Sequence, residues 1–455
     1  MKYPAGPRGL ETFGFFSRRS AKGTLGFIEK TVREYGPVSS FRLLFQRMFV
    51  FNDAELIRDV LVTRQHDFER DMGARFLREL VGDSVITRME PLHRERRRVL
   101  QPAFHREQIE SYANAMIDLS TRAVSEWATR PEIVVGPEMR KLTLSIVGAS
   151  LFGADFTSAA GEIAAVLSRV FRKARRVISL MTPMRPLLTV YRRLFPRGPS
   201  IFFERERREL DRIVLPLIDR RRRESSKDIV SLLLAMDLSD RDAKDEIVTF
   251  VLAGHETTAT ALTWASYLLA QHPEVSARIE AEVDEVLQTP AGGSAEKDRR
   301  ITFDDVAKLR YTANVFNETL RLYPPAPLFG RRAIRDVDFG SFTVPKGSTV
   351  MLSPYITHRD PRYWERPDSF EPERWENNSA PKFAFFPFSG GAKMCIGDGF
   401  AKLEGVIVLA EMARRFRFAL AEPGEVEISS GVTLQPSRPI RLSLEPRPVR
   451  ASQVS

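Results

Sequence analysis

Cys395 is the only cysteine in the 455 residues of the sequence, and it lies in the stretch "FPFSGGAKMCIGDGFA" at positions 386–401. A single cysteine cannot form a disulfide within the chain, so its thiol is an inert core group, a nucleophile or a metal ligand. Gly391 precedes it, and Gly397 and an apolar run that predicts a helix follow it. A helix N-terminus favours a thiolate, because peptide N–H groups and the helix dipole stabilise negative charge. This setting favours a chemical role over an inert thiol.

The residue types around Cys395 make a nucleophile or a zinc site difficult to build. A nucleophilic cysteine needs a base, but the chain has only six histidines and no cysteine-protease signature around Cys395. A zinc site would need several further ligands, and no second cysteine exists to provide the usual C-x-x-C half. A thiolate that is the only protein ligand of a metal implies that another group, such as a porphyrin, fills the remaining positions.

A second group of chemically active residues interrupts the most apolar window of the chain, positions 247–270. His255 and Glu256 lie at its centre in "AGHETT", where two polar side chains would be costly in lipid. A long buried helix could instead place them around a ligand. Ser239 or Asp240 can cap this helix, and Pro273 follows it. The pattern therefore predicts one helix of about 30 residues, well above the usual length.

The cysteine stretch resembles the haem-binding signature of the cytochromes P-450, the haem-thiolate monooxygenases. The matching residues are Phe388, Gly391, Lys393, Cys395 and Gly397, at the spacing F-x-x-G-x-K-x-C-x-G. The family usually has Arg or His where this chain has Lys393; lysine can still reach a haem propionate as a point charge but lacks the planar fork. The resemblance implies that haem b (iron protoporphyrin IX) is the cofactor, with Cys395 as axial thiolate and metal ligand and with Phe388, Lys393 and Gly397 as cofactor-binding residues.

The "ETLR" and "PERW" motifs match a second family signature. Glu318 and Arg321 are three residues apart, so they share a helix face, and Arg374 follows about 50 residues later. Taken alone, the first pair would more often be a solvated surface pair. By resemblance the three residues form a buried structural triad that supports the cysteine loop.

The "AGHETT" motif is similar to the oxygen-activation motif of the family. By resemblance Ala253 borders the haem, Gly254 leaves room for dioxygen, Glu256 relays protons and Thr257 offers a hydroxyl to the oxygen being activated. The alternative for Thr257 is a hydrogen bond back to the preceding helical turn. The acid and the threonine together favour a dioxygen-dependent reaction over one that uses peroxide.

The remaining propionate contacts are expected in two other segments. In "PLHRERRRVLQPAF", His93 and Arg97 are four residues apart and share one helix face. In "GRRAIRD", Arg331 matches the family position, and its neighbour Arg332 could be confused with it. The other arginines of the first segment are expected to be solvated or to face a partner: Arg94, Arg96 and Arg98.

The periodicity of apolar residues predicts the fold class, mainly α with a smaller β portion (α+β), and the resemblance implies the P-450 fold with the long central helix crossing the haem. A helix from Ala401 to Arg415 should follow the cysteine. Strand patterns occur near both ends, in "VSSFRLLFQRMFVFN", "DFGSFTVPKGSTVMLSPY" and "GVTLQPSRPIRLSLEP". We expect residues 1–455 to form a single haem-thiolate monooxygenase domain without a fused reductase.

The composition describes a basic globular protein, with 69 Lys and Arg against 59 Asp and Glu and a pI near 9.7. No basic stripe with interleaved aromatics indicates nucleic-acid binding. With one cysteine and no apolar N-terminal or transmembrane segment, we expect a cytoplasmic monomer. Electrons from NAD(P)H should arrive through a separate ferredoxin or flavodoxin and its reductase. A basic face near Cys395, including Lys393, Lys402 and some of Arg94–Arg98, would suit that acidic partner.

The expected substrate is a lipophilic small molecule, a fatty acid, terpenoid or polyketide-like compound, that is hydroxylated or epoxidised with dioxygen. A lid is expected from about Phe171 to Phe195. The alternative from another class is a non-catalytic basic helical protein that binds lipid or nucleic acid. By resemblance the substrate pocket contains mainly apolar residues: Val85, Ile86, Phe250, Ala326, Leu328, Phe329, Val432 and Thr433.

Overall fold

The computed structural model describes residues 3–16, 22–43, 45–71, 77–78, 81–153, 159–170, 203–223, 228–236, 238–288 and 299–447. The predicted lid lies outside these residues. The helices are α1 (Gly23–Tyr35), α2 (Ala54–Arg58), α3 (Leu92–Leu100), α4 (Arg106–Trp127), α5 (Val135–Phe152), α6 (Glu204–Arg221), α7 (Ile229–Ala235), α8 (Asp240–Gln271), α9 (Pro273–Gln288), α10 (Phe303–Val306), α11 (Arg310–Leu322), α12 (Pro354–Thr357) and α13 (Asp398–Arg415). Residues 159–170 are also helical.

The strands form one larger sheet and three small ones. The strands are β1 (Val38–Leu43), β2 (Gln46–Phe51), β3 (Phe68–Arg70), β4 (Glu132–Val134), β5 (Phe329–Ala333), β6 (Val337–Asp338), β7 (Thr343–Val344), β8 (Thr349–Leu352), β9 (Phe416–Leu420), β10 (Ile428–Ser430), β11 (Leu434–Pro436) and β12 (Arg441–Pro446). The larger sheet has the strand order β1, β2, β8, β5, β3, in which β2 and β8 are parallel and the other neighbours are antiparallel. The prediction of a mainly helical fold with a smaller β portion is confirmed.

Helix α8 is the long helix predicted around "AGHETT", and it spans 32 residues. The Ser239 side chain caps it by accepting a hydrogen bond from the Asp242 N–H. The helix packs against α5, α6, α11 and α13 in the core. Between residues 243 and 269, all residues are buried except Ala253, Gly254, Glu256 and Thr257. The burial of α8 is therefore interrupted only within the predicted oxygen-activation motif.

Two apolar clusters hold the elements together. The larger one joins the helices, with α8 at its centre, and the smaller one packs the main sheet against residues 383–386, just before the cysteine loop. The helix after the cysteine begins at Asp398, three residues earlier than predicted, and the additional turn contains the acidic Asp398 and the buried Phe400. Within the described part of the chain, no helix has the length and apolar character needed to cross a membrane.

Candidate active site

The four residues of α8 that are not buried between residues 243 and 269 form an opening in the otherwise buried surface of the helix: Ala253, Gly254, Glu256 and Thr257. Ala253 is exposed although it lies in the middle of a core helix, and Thr257 is one turn further along the same face. Thr257 Oγ1 donates to the Ala253 carbonyl oxygen at 2.7 Å, which is the back-bond considered as an alternative above. A hydroxyl that donates its proton in this way keeps its lone pairs available. Thr257 can therefore accept a hydrogen bond from a group placed against this face.

Gly254 has a packing role that the sequence did not reveal. A Cβ atom at this position would lie 2.8 Å from Val147 Cγ2 on helix α5, closer than such contacts normally come. The absent side chain therefore leaves room for α5 to approach α8. This packing accounts for glycine at position 254, and the role of leaving room for dioxygen stays a prediction.

Glu256 is held by a residue of strand β11. Gln435 Nε2 lies 2.9 Å from Glu256 Oε1, and it also approaches the hydroxyls of Thr260 and Thr433. Burial raises the pKa of Glu256, and the positive charge of Arg140 partly opposes this effect. A raised pKa suits a carboxyl group that has to carry a proton. Sequence reasoning missed Gln435, although it lies only two residues after the predicted pocket residue Thr433.

The cysteine loop adopts a tight conformation. The Cys395 N–H donates to the Phe388 carbonyl oxygen at 2.9 Å, and residues 391–393 form a 3-10 turn. Gly391 has a φ of 68°, and a Cβ there would lie 1.8 Å from the Leu61 carbonyl oxygen. Both facts require glycine, because an L side chain would be strained and would clash.

The Cys395 thiol is solvent-accessible, yet surrounding protein atoms desolvate it. This burial raises the pKa of the thiol, while the Gly397 N–H and the Arg97 charge act in the opposite direction. The Gly397 N–H near the start of the helix therefore favours a thiolate as expected, but burial outweighs it in the protein alone. The helix begins three residues after Cys395, and desolvation has the larger effect. A coordinated metal ion would reverse the balance, because it deprotonates the thiol that binds it.

Beside this loop the fold brings several cationic side chains together, one of them unpredicted. Arg70 on β3 and Arg331 on β5 are directly opposite each other, so both side chains lie on one face of the sheet. Arg331 Nη2 lies 3.1 Å from the Ser389 hydroxyl of the cysteine loop, and Arg70 Nη2 lies 3.5 Å from His93 Nε2. Lys393 of the same loop is also buried, with 7% of its side chain exposed. We call Arg70, His93, Arg331 and Lys393 the cationic cluster.

The cationic cluster has too little negative charge around it. Burial is the largest cause of the lowered pKa values, which are about 9 for Arg70, about 10 for Arg331, about 8 for Lys393 and about 4 for His93. In the part of the chain that the structure describes, two carboxylates lie near the cluster. Glu90 is 3.1 Å from His93 and 3.9 Å from Lys393, and the negative charge of Asp71 raises the pKa values of Arg70 and Arg331 against the effect of burial. Arg70 Nε is buried without a hydrogen-bond partner among the described residues. Since Arg70, Arg331 and Lys393 outnumber these two carboxylates, the cluster would stabilise a bound anion, and a molecule with carboxylates fits this need.

The alternation of side chains along β5 distinguishes Arg331 from Arg332. Arg331 is 6% exposed and faces the cysteine loop. Arg332 points to the other face and pairs with Glu69 at 2.8 Å, with 33% of its side chain exposed. Of the two neighbours, Arg331 is therefore the one that faces the cysteine loop.

The arginines of helix α3 lie on different faces of the helix and differ in burial. Arg97 Nη1 donates to the Met394 carbonyl oxygen, one residue before the cysteine. Arg94 and Arg98 are exposed as expected, but the prediction for Arg96 is wrong, because Arg96 is buried. It lies three residues after the buried His93 and so shares its face.

The structure brings Glu318, Arg321 and Arg374 together. Arg321 donates to both carboxylate oxygens of Glu318, at 2.9 and 2.8 Å, and Arg374 Nε donates to Oε1 at 2.9 Å. The Trp375 indole N–H and the Glu371 N–H also donate to this carboxylate, each at 3.0 Å. Glu318 and Arg321 are fully buried, so this is an internal network and not a solvated surface pair.

The predicted pocket residues come from segments that meet around α8. The Val85 N–H donates to Glu246 on α8, Phe250 lies one turn after Glu246, and the Leu434 N–H donates to the Pro325 carbonyl. Ile86 and Leu328 are half-buried, Thr433 contacts Gln435, and Ala326 and Val432 are exposed.

Phe329 differs from the other predicted pocket residues. It shares a strand face with Arg331, whose guanidinium lies 5.0 Å from the ring centre. Its ring packs edge-on against Phe386, at 6.1 Å between ring centres. It therefore lies with the cationic cluster and not with the pocket segments.

Comparison with known proteins gives matches along nearly the whole chain. Residues 4–444 match the profile of the family described as cytochrome P-450. The chain is 32% identical to cyclooctatin synthase of Streptomyces melanosporofaciens, over 98% of this chain and 96% of that protein. It is 31% identical to cyclooctat-9-en-7-ol 5-monooxygenase of the same organism, over 91% and 89%. Pentalenene oxygenase of Streptomyces avermitilis is 31% identical, over 95% and 92%.

Proposed function

The chain belongs to the cytochrome P-450 family and is a P-450 monooxygenase, and from that premise we propose that it hydroxylates or epoxidises a cyclic terpenoid. Family membership excludes the alternative of a non-catalytic binding protein. In the overall reaction one oxygen atom of dioxygen enters the substrate, and the other leaves as water after taking up two electrons and two protons. The observation that carries the proposal is the opening at Ala253 and Thr257 in an otherwise buried helix, next to the apolar Val85 and Phe250 segments.

We assign haem b as the cofactor, and the charges around the cysteine loop support this. Cys395 is the sulfur ligand, and the cationic cluster is matched to the two propionates. Haem iron with a cysteine thiolate ligand supplies the chemistry that cleaves dioxygen. The protein holds the propionates, excludes water and delivers protons.

The proton path that we propose passes along one face of α8. Glu256 carries the proton on its carboxyl group. The Gln435 side-chain amide holds this carboxyl group in place by donating a hydrogen bond to Glu256 Oε1. Thr257 Oγ1 is anchored at Ala253 and presents its lone pairs to the opening. This division of roles places a proton donor and a hydrogen-bonding hydroxyl on neighbouring residues.

Thr257→Val should uncouple the reaction. Valine keeps the shape of threonine but cannot hydrogen-bond, so NAD(P)H consumption should continue while product per NAD(P)H falls about tenfold or more. Peroxide release measured beside product would account for the missing electrons. Thr263→Val is the matched control, because Thr263 makes the same back-bond, to the Ala259 carbonyl, but is buried away from the opening. A fully coupled Thr257→Val enzyme would contradict the proposed role.

Arg331→Met should weaken haem retention, whereas Arg332→Met should not. Loss of one charge-assisted hydrogen bond to a propionate corresponds to about tenfold or more in affinity. The rate at which each purified variant transfers haem to an excess of apomyoglobin measures this directly. Equal transfer rates for the two variants would remove Arg331 from the propionate site.

The substrate class is supported by the names of the relatives. Two of them act, by name, on cyclooctat-9-en-7-ol and pentalenene. The test is the spin-state change in the absorption spectrum when cyclic terpenes, fatty acids and polyketide lactones of similar size are added. We expect the tightest binding and the largest change with cyclic terpenes, and tighter binding of fatty acids or lactones would overturn this substrate class.

We further propose that electrons from NAD(P)H arrive through a separate ferredoxin or flavodoxin. The exposed basic residues near the cysteine loop are Arg94, Arg98 and Lys402, which suit an acidic partner. Lys393 was expected on this surface, but only 7% of its side chain is exposed. The same loop contacts β5 through Ser389, which lies 3.1 Å from Arg331 Nη2.

A further inference from the structure

The first turns of α8 present an acidic face to the loop that leads to the predicted pocket. Asp242, Asp245 and Glu246 are spaced i, i+3 and i+4, so they lie on one side of the helix. We propose that this face clamps the loop 82–88 and that Glu246 is the residue that positions Val85 and Ile86 against the substrate. This inference rests on the proposed function, because it concerns the same pocket.

Two of the acids bind the backbone of the loop directly. The Asp83 N–H donates to Asp245 Oδ2 at 2.8 Å, and the Val85 N–H donates to Glu246 Oε2 at 3.0 Å. Gly82 has a φ of 73°, and a Cβ there would lie 1.8 Å from Asp245 Oδ2. Glycine at position 82 therefore lets the loop approach the helix closely enough for both bonds to form.

Two arginines complete the clamp from the other side. Arg88 lies 3.4 Å from Asp83 and 3.3 Å from Asp242. Arg96, which the sequence placed at the surface, lies 3.5 Å from Glu246 and 3.7 Å from Asp242. Since Glu246 is fully buried, the charge of Arg96 offsets only part of the cost of burying the carboxylate, and burial still raises the pKa of Glu246.

The loop is also tied to itself. Thr87 Oγ1 donates to the Gly82 carbonyl oxygen at 2.8 Å and accepts from the Ser84 N–H at 2.9 Å. These bonds close the turn over residues 82–87, so the two bonds from α8 hold a loop that is already tied together. Val85 is 4% exposed, which agrees with a fixed position.

The position of Glu246 connects the clamp to the pocket. Phe250 lies four residues further along α8 and so on the same face as Glu246. The Phe250 ring stacks on Phe104 at 5.7 Å between ring centres. Helix α8 thus carries the opening at Ala253 and also holds the loop at Val85. The Glu246 hydrogen bond to the Val85 N–H sets the distance between this loop and the helix.

The hydrogen bond and the charge of Glu246 can be separated by substitution. Burial raises the pKa of Glu246 to about 7, so a neutral side chain of the same shape is compatible with its surroundings. Glu246→Gln keeps an oxygen that can accept the Val85 N–H, whereas Glu246→Leu removes it. Asp240→Leu is the matched control, because Asp240 belongs to the same first turns but is 47% exposed and pairs with Arg222.

The test compares these variants as haem-loaded enzymes by two measurements. Hydrogen exchange of residues 82–88 reports the clamp, and absorption titrations with 4-phenylimidazole and imidazole report the pocket, because only the larger azole extends toward the loop. For Glu246→Leu we expect at least about tenfold faster exchange and about tenfold weaker binding of 4-phenylimidazole, with imidazole within about twofold. Glu246→Gln and Asp240→Leu should stay close to the parent enzyme.

Unchanged exchange in Glu246→Leu would overturn the clamp, and so would equal weakening of both azoles, since that would indicate general damage to the site. Neither measurement uses a terpenoid. Failure of the substrate class and failure of the clamp are therefore distinguishable.

Discussion

Cys395→Ser is expected to abolish turnover, and to abolish the strongly red-shifted absorption band that we expect from the reduced parent enzyme under carbon monoxide. The chain contains no other sulfur that could become a thiolate, because Cys395 is its only cysteine. A serine hydroxyl has a pKa far too high to serve as the same anionic ligand, so the electron donation of the thiolate is lost. The measurement is the reduced carbon monoxide difference spectrum of the purified protein, with thiol titration falling from one group per chain to none.

Met394→Leu is the matched control, since Met394 contacts Arg97 through its backbone carbonyl and not through its side chain. It should keep the band, and circular dichroism should show that both variants retain the helical fold. A Cys395→Ser protein that keeps the band and turns over would mean that the metal ligand lies elsewhere.

The sequence was sufficient to predict features whose signal is local. The long helix could be predicted because its cap, its apolar window and the proline after it all lie along one stretch. The cysteine loop and the partners of Glu318 could be predicted by resemblance, because they occur in short motifs. The structure then placed these motifs next to one another.

Features that depend on pairing between distant segments could not be predicted. Arg70 joins the cationic cluster only because β3 pairs with β5 in a register that places it opposite Arg331. Gln435 reaches Glu256 because β11 lies against α8. Arg96 appeared to be one of several surface arginines, and its burial depends on acids about 150 residues further along the chain. The sequence contains these residues but not the contacts that give them their roles.

The pKa of Cys395 shows a different limit. A helix N-terminus is visible in the sequence and predicts stabilisation of a thiolate. The degree of desolvation depends on every segment packed around the loop, and here it has the larger effect. The effect of a nearby helix N-terminus on a pKa can be predicted from the sequence. Whether burial outweighs that effect can be decided only from the packed structure.

Glu318→Gln should destabilise the folded protein strongly, by about 3–5 kcal/mol. The carboxylate accepts hydrogen bonds from Arg321, Arg374, Trp375 and the Glu371 backbone, and Arg321 in turn donates to the carbonyls of His358, Pro367 and Ser369. A glutamine directs an N–H₂ group at donors and leaves the buried Arg321 guanidinium without its counter-charge. The segments that this network joins include the one leading to the cysteine loop.

The urea midpoint of unfolding, followed by tryptophan fluorescence together with haem absorption, measures this effect. Arg366→Gln is the matched control, because Arg366 pairs with Glu371 beside the triad but is 67% exposed. Its loss should change stability by no more than about 0.5 kcal/mol. If both variants shifted the midpoint equally, the network would be no more important than a surface pair. A large shift for Glu318→Gln alone, with haem lost at the same urea concentration as the fold, would show that the triad supports the cysteine loop through the stability of the whole domain.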